Sequence, residues 1–479
     1  MVSQWRIPRP CLWLTGLCYI NTHVLVAGIE LDIGSDESIK SAASTIAHDL
    51  VTFYSGNNSG DVPGNLPDPY YWWEAGAFFG SLVNYWALTG DTTYNDITVQ
   101  AIEHQAGENG DFMPKNQTYT EGNDDQCFWA LTAMAAAERN FTNPSPDTPG
   151  YLAMVQAVFN EQTHRWDMTA CEGGLRWQIY TWNNGYGYKN TISNGCFFDI
   201  AARLARYTGN ATYAEWATKT WDWSRAVGLI RNDWQVYDGT THETNCTSYD
   251  RTRWSYTAGI HLHGAAVMYN YTSELLSKSL ESTNSSQSSN SSAVWKLRLD
   301  GLLDAADHFF SKNESSKNVM YEPPCELIGR CNVDQLSFKA YMSRWMADVT
   351  QLAPHTYDMI MNKLRVTAKA AVAQCQGGDS GTYCGFRWAS GSYDGTTGVG
   401  QQMGTLDVLQ SLLVAEIDGP VTSTTGGSSE GNSGAGTESD DTKEEIQWDH
   451  ITNGDRAGAA ILTAAVIGLI GMAIYTMLS

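Results

Sequence analysis

Two acids stand side by side in the segment Glu121-Gly-Asn-Asp-Asp-Gln126. Glycoside hydrolysis uses a pair of carboxyl groups, one as proton donor and one as nucleophile or water activator. Neighbouring carboxylates oppose each other's ionisation, so one of Asp124 and Asp125 should keep a proton, which suits an acid catalyst. The same residues also suit a helix start. Asp is a favoured N-cap, and acids in a first turn complement the helix dipole, which steadies both anions and so works against the rise in pKa. Around this pair the chain carries aromatic and polar stretches: Pro69-Tyr-Tyr-Trp-Trp-Glu74, Thr118 to Asp125, Tyr180 to Asn190, and Trp254-Ser-Tyr256. Flat rings pack on the C–H faces of pyranoses, while Asn, Lys and carboxylates bind hydroxyls. Trp72, Trp73, Trp182 and Tyr256 are the candidate stacking residues. Glu74, Asn123, Asn183, Asn184, Lys189 and Asn194 are the candidate polar contacts. Each aromatic has a packing alternative, and Glu74 a capping one. His261 and His263 are two apart, share no helix face and are expected in the core. No CxxC pair or HExxH occurs, so no metal site or cofactor is expected.

The elements that must position these residues read as helices. The run from Asp124 to Glu138 is Ala-rich and apolar at helical spacing, and alternating strand patterns are scarce. Leu88-Thr-Gly-Asp-Thr-Thr-Tyr94 resembles Tyr207-Thr-Gly-Asn-Ala-Thr-Tyr213, and Tyr269-Asn-Tyr-Thr-Ser-Glu274 is a looser copy. Each would close one helix with Gly and open the next with a polar cap. Their spacings fit units of about 60 residues, a sign of repeated supersecondary structure. Six apolar, small-residue-rich helices are expected to begin near Glu74, Asp124, Ile192, Thr257, Val333 and Gly400. A helix apolar on nearly every face is buried. More amphipathic partners, such as Ile39 to Tyr54 and Trp295 to Phe310, would ring them. The expectation is all-α, an (α/α)6 barrel of six helical hairpins over residues 29–418, with an irregular bundle or α-solenoid as the alternative.

The ends of the 479-residue chain point to export. Arg6 and Arg9 precede an apolar stretch, and Val26 and Gly28 suit a signal peptidase site, so residues 1–28 read as a secretory leader rather than a membrane anchor. Residues 454–479 read as a GPI-attachment signal: from Ala457 onward there is no charged residue and no basic flank follows. Asn453, Gly454, Ser433, Gly434 and Ser439 are all candidate attachment residues, and a single-pass tail anchor is the alternative. Residues 419–453 are rich in Ser, Thr, Gly and acids and read as a disordered stalk. Sequons at Asn57, Asn116, Asn140, Asn210, Asn245, Asn270, Asn284, Asn290 and Asn313 agree with passage through the secretory pathway. Eight cysteines follow the leader. Cys325 with Cys331, and Cys375 with Cys384, are close enough to staple loops, while Cys127, Cys171, Cys196 and Cys246 leave three pairings open. A net charge of −23 argues against nucleic acid as a partner.

The stretches Tyr71-Trp-Trp-Glu-Ala-Gly-Ala77, Gly122-Asn-Asp-Asp-Gln126, Asn183-Asn-Gly-Tyr-Gly-Tyr-Lys-Asn190, Ile192-Ser-Asn-Gly195 and Tyr256-Thr-Ala-Gly-Ile260 span most of the body. With leader, stalk and tail they resemble the fungal GPI-anchored mannan endo-1,6-α-mannosidases of glycoside hydrolase family 76. That resemblance implies an (α/α)6 barrel, a retaining mechanism, Asp124 as nucleophile and Asp125 as general acid/base. It also implies a protein on the outer face of the plasma membrane or in the cell wall, held there by a GPI lipid. The donor would be an α-1,6-mannoside or the mannose core of a GPI glycan, with β-glucan as an acceptor. The competing function is a non-catalytic wall protein that binds mannan or GPI glycans.

Overall fold

The computed structural model describes residues 28–281 and 286–437, together with Thr463 and Met472. Six helical hairpins follow one another: α1 (Asp36–Val51) and α2 (Trp72–Thr89), α3 (Asn95–Gln105) and α4 (Asn123–Glu138), then α5 (Tyr151–His164) and α6 (Thr191–Thr208). The second half repeats the plan with α7 (Ala211–Ala226) and α8 (Ser255–Glu281), α9 (Ser286–Ala305) and α10 (Phe338–Leu352), and α11 (Tyr357–Val372) and α12 (Val399–Gln410). The even-numbered helices pack in sequence, and α12 returns against α2, closing an inner ring of an (α/α)6 barrel. Their composition explains the placement. All of α12, all but two residues of α4 and all but two of α6 are buried. An outer helix such as α11 buries only one stripe, from Ile360 to Val372. Both copies of the repeated motif end their helices alike. Gly90 and Gly209 take the left-handed conformation, with φ of 79° and 72°, which a residue bearing Cβ adopts only at a cost.

Two short sheets sit on the loops. β1 (Tyr188–Asn190), β2 (Gly239–Thr241) and β3 (Tyr249–Asp250) are antiparallel, with Lys189 opposite Thr240. β4 (Cys375–Gly377) pairs with β5 (Tyr383–Cys384). The two local disulfides form as expected, and of the four open cysteines Cys171 bonds Cys246 while Cys127 and Cys196 stay free and buried. His263 Nδ1 lies 2.7 Å from Asp199 Oδ1, and His261 Nδ1 lies 2.8 Å from the Thr257 carbonyl, both inside the barrel.

Three boundaries differ from expectation. The fifth inner helix begins at Phe338 rather than near Val333, because Asn332 and Gln335 close a turn through reciprocal 3.0 Å backbone-to-side-chain hydrogen bonds. The outer helix expected over Trp295 to Phe310 spans Ser286–Ala305 and tightens into a 3-10 turn over Ala306–Phe309. Residues 419–437 are also laid along the body rather than free of it. Val421 N–H donates to the Glu138 carbonyl (2.9 Å), Ser423 N–H to the Tyr207 carbonyl (2.9 Å) and Ala153 N–H to the Glu430 carbonyl (3.3 Å). Asn160 Nδ2 then donates to the carbonyls of Ser433 and Ala435. A polar segment that buries little beyond Pro420, Val421 and Thr422 is ordered here largely by hydrogen bonds to a preformed surface. The leader and the attachment signal fall outside the described residues apart from Gly28, Thr463 and Met472, as do stalk residues beyond 437. No helix among the described residues is long and apolar enough to cross a membrane.

The sequons separate by environment. Asn57, Asn116, Asn210 and Asn313 are exposed. Exposed Asn245 accepts the Cys171 N–H (2.9 Å), Asn290 lies in α9, and Asn284 is outside the described residues. Asn140 is tied to the 419–437 strap, donating to the Gly426 carbonyl and accepting from Ser428. Asn270, inside α8, accepts from Arg206 Nε (2.8 Å) and donates to the Leu352 carbonyl (3.1 Å). Glycopeptide mapping of the secreted protein is expected to find Asn57, Asn116, Asn210 and Asn313 occupied and Asn270 bare. Full occupancy at Asn270 would contradict its packing against α6 and α10.

Candidate active site

The inner helices point their N-termini at one end of the barrel, and there a cleft of about 340 Å³ opens. Asp124 and Asp125 lie on its wall in the first turn of α4. Their position follows from local chemistry. Gly122 caps the helix, and its N–H donates to Asp125 Oδ2 at 2.6 Å, so the third residue of the helix reaches back as in a capping box. A Cβ at Gly122 would collide with Asp124 Oδ1, so the close approach needs glycine. The Asn123 N–H donates to the Trp177 carbonyl (2.8 Å), which pins this turn to the segment forming the next wall. Asp124 is only 8% exposed; its Oδ2 accepts from Asn190 Nδ2 at 2.8 Å, and its Oδ1 accepts from the Asp125 N–H.

Aromatic rings make the rest of the cleft. Trp73 packs on Phe128 with ring centres 4.7 Å apart, and Tyr256 lies flat on Phe338 at 3.7 Å with 6° between the planes. Trp177, Tyr188 and Trp254 complete the walls. Three further acids line it. Asp238 accepts from the Tyr188 hydroxyl at 2.6 Å, Asp250 ends β3, and Asp334 sits in the turn before α10. Among the described residues, five carboxyl groups and no Lys, Arg or His line the cleft.

Burial governs the protonation of this group. It is the main cause raising the pKa of Asp124 well above the carboxylate range; the neighbouring charge of Asp125 adds to it, and the hydrogen bonds from Asn190 and the backbone oppose it. Asp125 is raised to about 6, again by burial first, with the Gly122 N–H opposing and Asp334 adding. The two titrate as a unit, and burial with mutual repulsion holds one proton on the pair around neutrality.

Of the residues expected from sequence, the structure brings Asp124, Asp125, Trp73 and Tyr256 together and places the others elsewhere. Trp72 leans on Trp129 and donates to Gln105 Oε1 (2.7 Å). Glu74 is fully buried, with neither carboxylate oxygen hydrogen-bonded, and burial, with Asp334 adding, raises its pKa well above the usual range. Asn123 donates to the Arg176 carbonyl and accepts from Arg165, behind the Trp177 wall. Trp182 is 46% exposed and stacks on Tyr180 away from the cleft lining, with Asn184 exposed beside it. Asn183 holds the Tyr119 carbonyl and Gln178. Lys189 is 0% exposed, its ammonium spent on Asp167 and on the carbonyls of Ala170 and Gly173. Asn194 bridges both backbone groups of Leu175. Asn190, Trp177, Asp238, Asp250, Asp334 and Phe338 were not singled out by sequence. Asn190 closes the aromatic Tyr180 to Asn190 stretch, a signal that could have marked it; Asp334 has no motif around it.

A family model described as glycosyl hydrolase family 76 matches residues 38–424. Mannan endo-1,6-alpha-mannosidase DCW1 of Saccharomyces cerevisiae is 43% identical, over 93% of this chain and 95% of its own. The crystal structure of Dfg5 from Chaetomium thermophilum in complex with glucosamine superposes with a TM-score of 0.78 at 47% identity, covering 85% of this chain and 98% of that one. An α-1,6-mannanase from Salegentibacter sp. HEL1_6, in complex with α-1,6-mannotetrose, shares the fold at a TM-score of 0.59 and 16% identity, over 78% of this chain and 99% of its own.

Several other buried acids share the raised state. Burial lifts Asp111 to about 7 with Glu161 adding, lifts Glu322 to about 8, and raises Glu121 strongly. The folded chain keeps these protons where the unfolded chain, with carboxyls near about 4, has lost them, so raising the pH costs stability. The unfolding midpoint is therefore expected to fall as pH climbs from about 5 to about 8. Glu322→Gln, a mimic of the protonated acid between Ser255 and Glu326, should flatten the upper part of that decline in thermal melts.

Proposed function

The chain belongs to glycosyl hydrolase family 76, and on that footing we propose that it cleaves α-1,6-mannosyl linkages with retention and transfers the released glycosyl group at the fungal cell surface. The observation that carries this reading is the pair Asp124 and Asp125, set together in one aromatic, acid-lined cleft. Burial by itself favours the pair's proton on Asp124, so this mechanism requires it to pass to Asp125 when the sugar binds; Asp124, held as the carboxylate by Asn190, then attacks the anomeric carbon while Asp125 gives its proton to the glycosidic oxygen, and the C–O bond breaks. A covalent glycosyl ester on Asp124 results. Asp125, now the base, takes a proton from water or from a sugar hydroxyl, which attacks the same carbon and frees Asp124. Raised proton affinity in the pair suits the first step, and the Asn190 amide, together with the backbone N–H on Asp124, suits the anion.

The donor in this reading is mannan or the mannose core of a GPI glycan, and the acceptor is a wall β-glucan. A relative's complex with glucosamine favours the GPI glycan, because an amino sugar gains a proton near neutrality and five acids without a base suit a cation. A GPI lipid would hold the protein at the outer face of the membrane, carrying it to its substrate.

Asp124→Asn and Asp125→Asn are each expected to lower kcat on an α-1,6-mannoside by about 10²–10⁴-fold or more, with unfolding midpoints near the parent value. Nuclear magnetic resonance of the first product should show the α anomer. If both variants still turn over the substrate, the assignment of the pair fails; binding without turnover by the parent would make this a glycan-binding wall protein.

A further inference from the structure

Asp334 is the cleft acid that neither the fold nor the paired acids account for. It faces the same cavity as Asp125, across from α4, on the turn between the Cys325–Cys331 disulfide and α10. That turn is held from several sides. Asn332 and Gln335 exchange hydrogen bonds at 3.0 Å, and the Ser337 N–H and hydroxyl both donate to the Asp334 carbonyl at 3.0 and 2.6 Å. The backbone of Asp334 is thus fixed while its side chain is left for another purpose. Its Oδ1 is buried and has no hydrogen-bond partner. Leaving a buried carboxylate oxygen unpaired costs stability, and the cost is removed when a donor arrives from a ligand. Trp73, one of the cleft rings, lies close enough for its indole N–H to act on the same carboxyl, so a sugar stacked there would bring its hydroxyls beside Oδ1.

We propose that Asp334 binds the glycan, its free oxygen accepting a hydrogen bond from a hydroxyl of the mannosyl residue that rests on Trp73 in front of Asp125. This rests on the α-mannosidase reading and adds a specificity residue to it, outside the paired acids. A carboxylate accepting from a hydroxyl is among the stronger sugar contacts, because one partner is charged. The same charge acts on the proton of Asp125. The titratable groups around Asp125 are Asp124 on its own helix, Glu121 on the preceding turn, Asp334 across the cleft, and Tyr188, Asp238, Asp250 and Tyr256 on the remaining walls. A hydroxyl bonded to Asp334 partly screens that carboxylate when substrate is present.

The test uses the full secreted chain and α-1,6-mannobiose. In an Asp124→Asn background, which holds the sugar without turnover, adding Asp334→Asn is expected to weaken binding at least about tenfold by calorimetry. In the active parent, Asp334→Asn should raise KM by a similar factor. It should also move the alkaline limb of the kcat/KM profile to lower pH, since removing a negative charge near Asp125 eases loss of its proton. A merely structural residue would not move that limb. Asp334→Glu, which keeps the charge and shifts the oxygen, should restore the limb while leaving binding weakened; it also decides the matter if the Asn variant unfolds. Binding and pH profile both unchanged in a folded Asp334 variant overturn the proposal. An Asp124→Asn background that binds no α-1,6-mannoside at all would instead overturn the functional reading on which it rests.

Discussion

Two carboxyl groups on consecutive residues, Asp124 buried and Asp125 half-buried, are largely withdrawn from water at the first turn of α4, and the surroundings supply only part of what hydration would have given them. Burying an ionised carboxylate without partners is costly enough that the group protonates instead. Here the Gly122 N–H reaches Asp125, and the Asn190 amide and a backbone N–H reach Asp124. Those donors hold one negative charge comfortably and two poorly. The pair is left with a shared proton, which is the state an acid and a nucleophile must divide between them.

That constraint explains much of the architecture around it. The helix start that carries the acids is bonded to the Trp177 segment, and Asn190 is the N-cap of α6, so the charge-holding donors come from two successive hairpins. The ring closure by α12 against α2 brings the remaining hairpins round to face them. Lys189 and Asn194 do not touch the cleft, yet they fix the loop in which Asn190 sits, one through Asp167 and carbonyls of residues 170–173, the other through Leu175. Loss of such a residue would act on catalysis through geometry, since small misplacements of a reacting group are expensive.

The parts of this fold that were legible in the sequence are those where burial dictates composition. Inner helices are apolar on nearly every side because every side touches another helix, so α2, α4, α6, α8 and α12 announce themselves within two or three residues of their starts. The acid pair was legible because two adjacent carboxyls at a helix start are chemically conspicuous. Illegible features share a cause, which is that a polar side chain near a mouth does not declare which way it faces. Asn123, Lys189 and Asn194 read as sugar ligands and brace the backbone, while Asp238 and Asp334, which no motif marks, line the cleft. The strap at 419–437 failed for another reason. Composition reports what a segment can bury, and this one buries little; it is ordered by hydrogen bonds to the ends of α4 and α6 and to the length of α5.

The strap also bears on how the cleft is presented. It begins at the far end of the barrel, beside Glu138 and Tyr207, and climbs α5 from Leu152 to Asn160 toward the end that holds the acids. Eight residues of helix correspond to about 12 Å of rise. Thr437, the last residue of the strap, therefore lies nearer the mouth than the end of the last barrel helix does. The polar segment that follows the last helix thus brings the end of the described body round to the side of the acids, by hydrogen bonds to α5 rather than by burial.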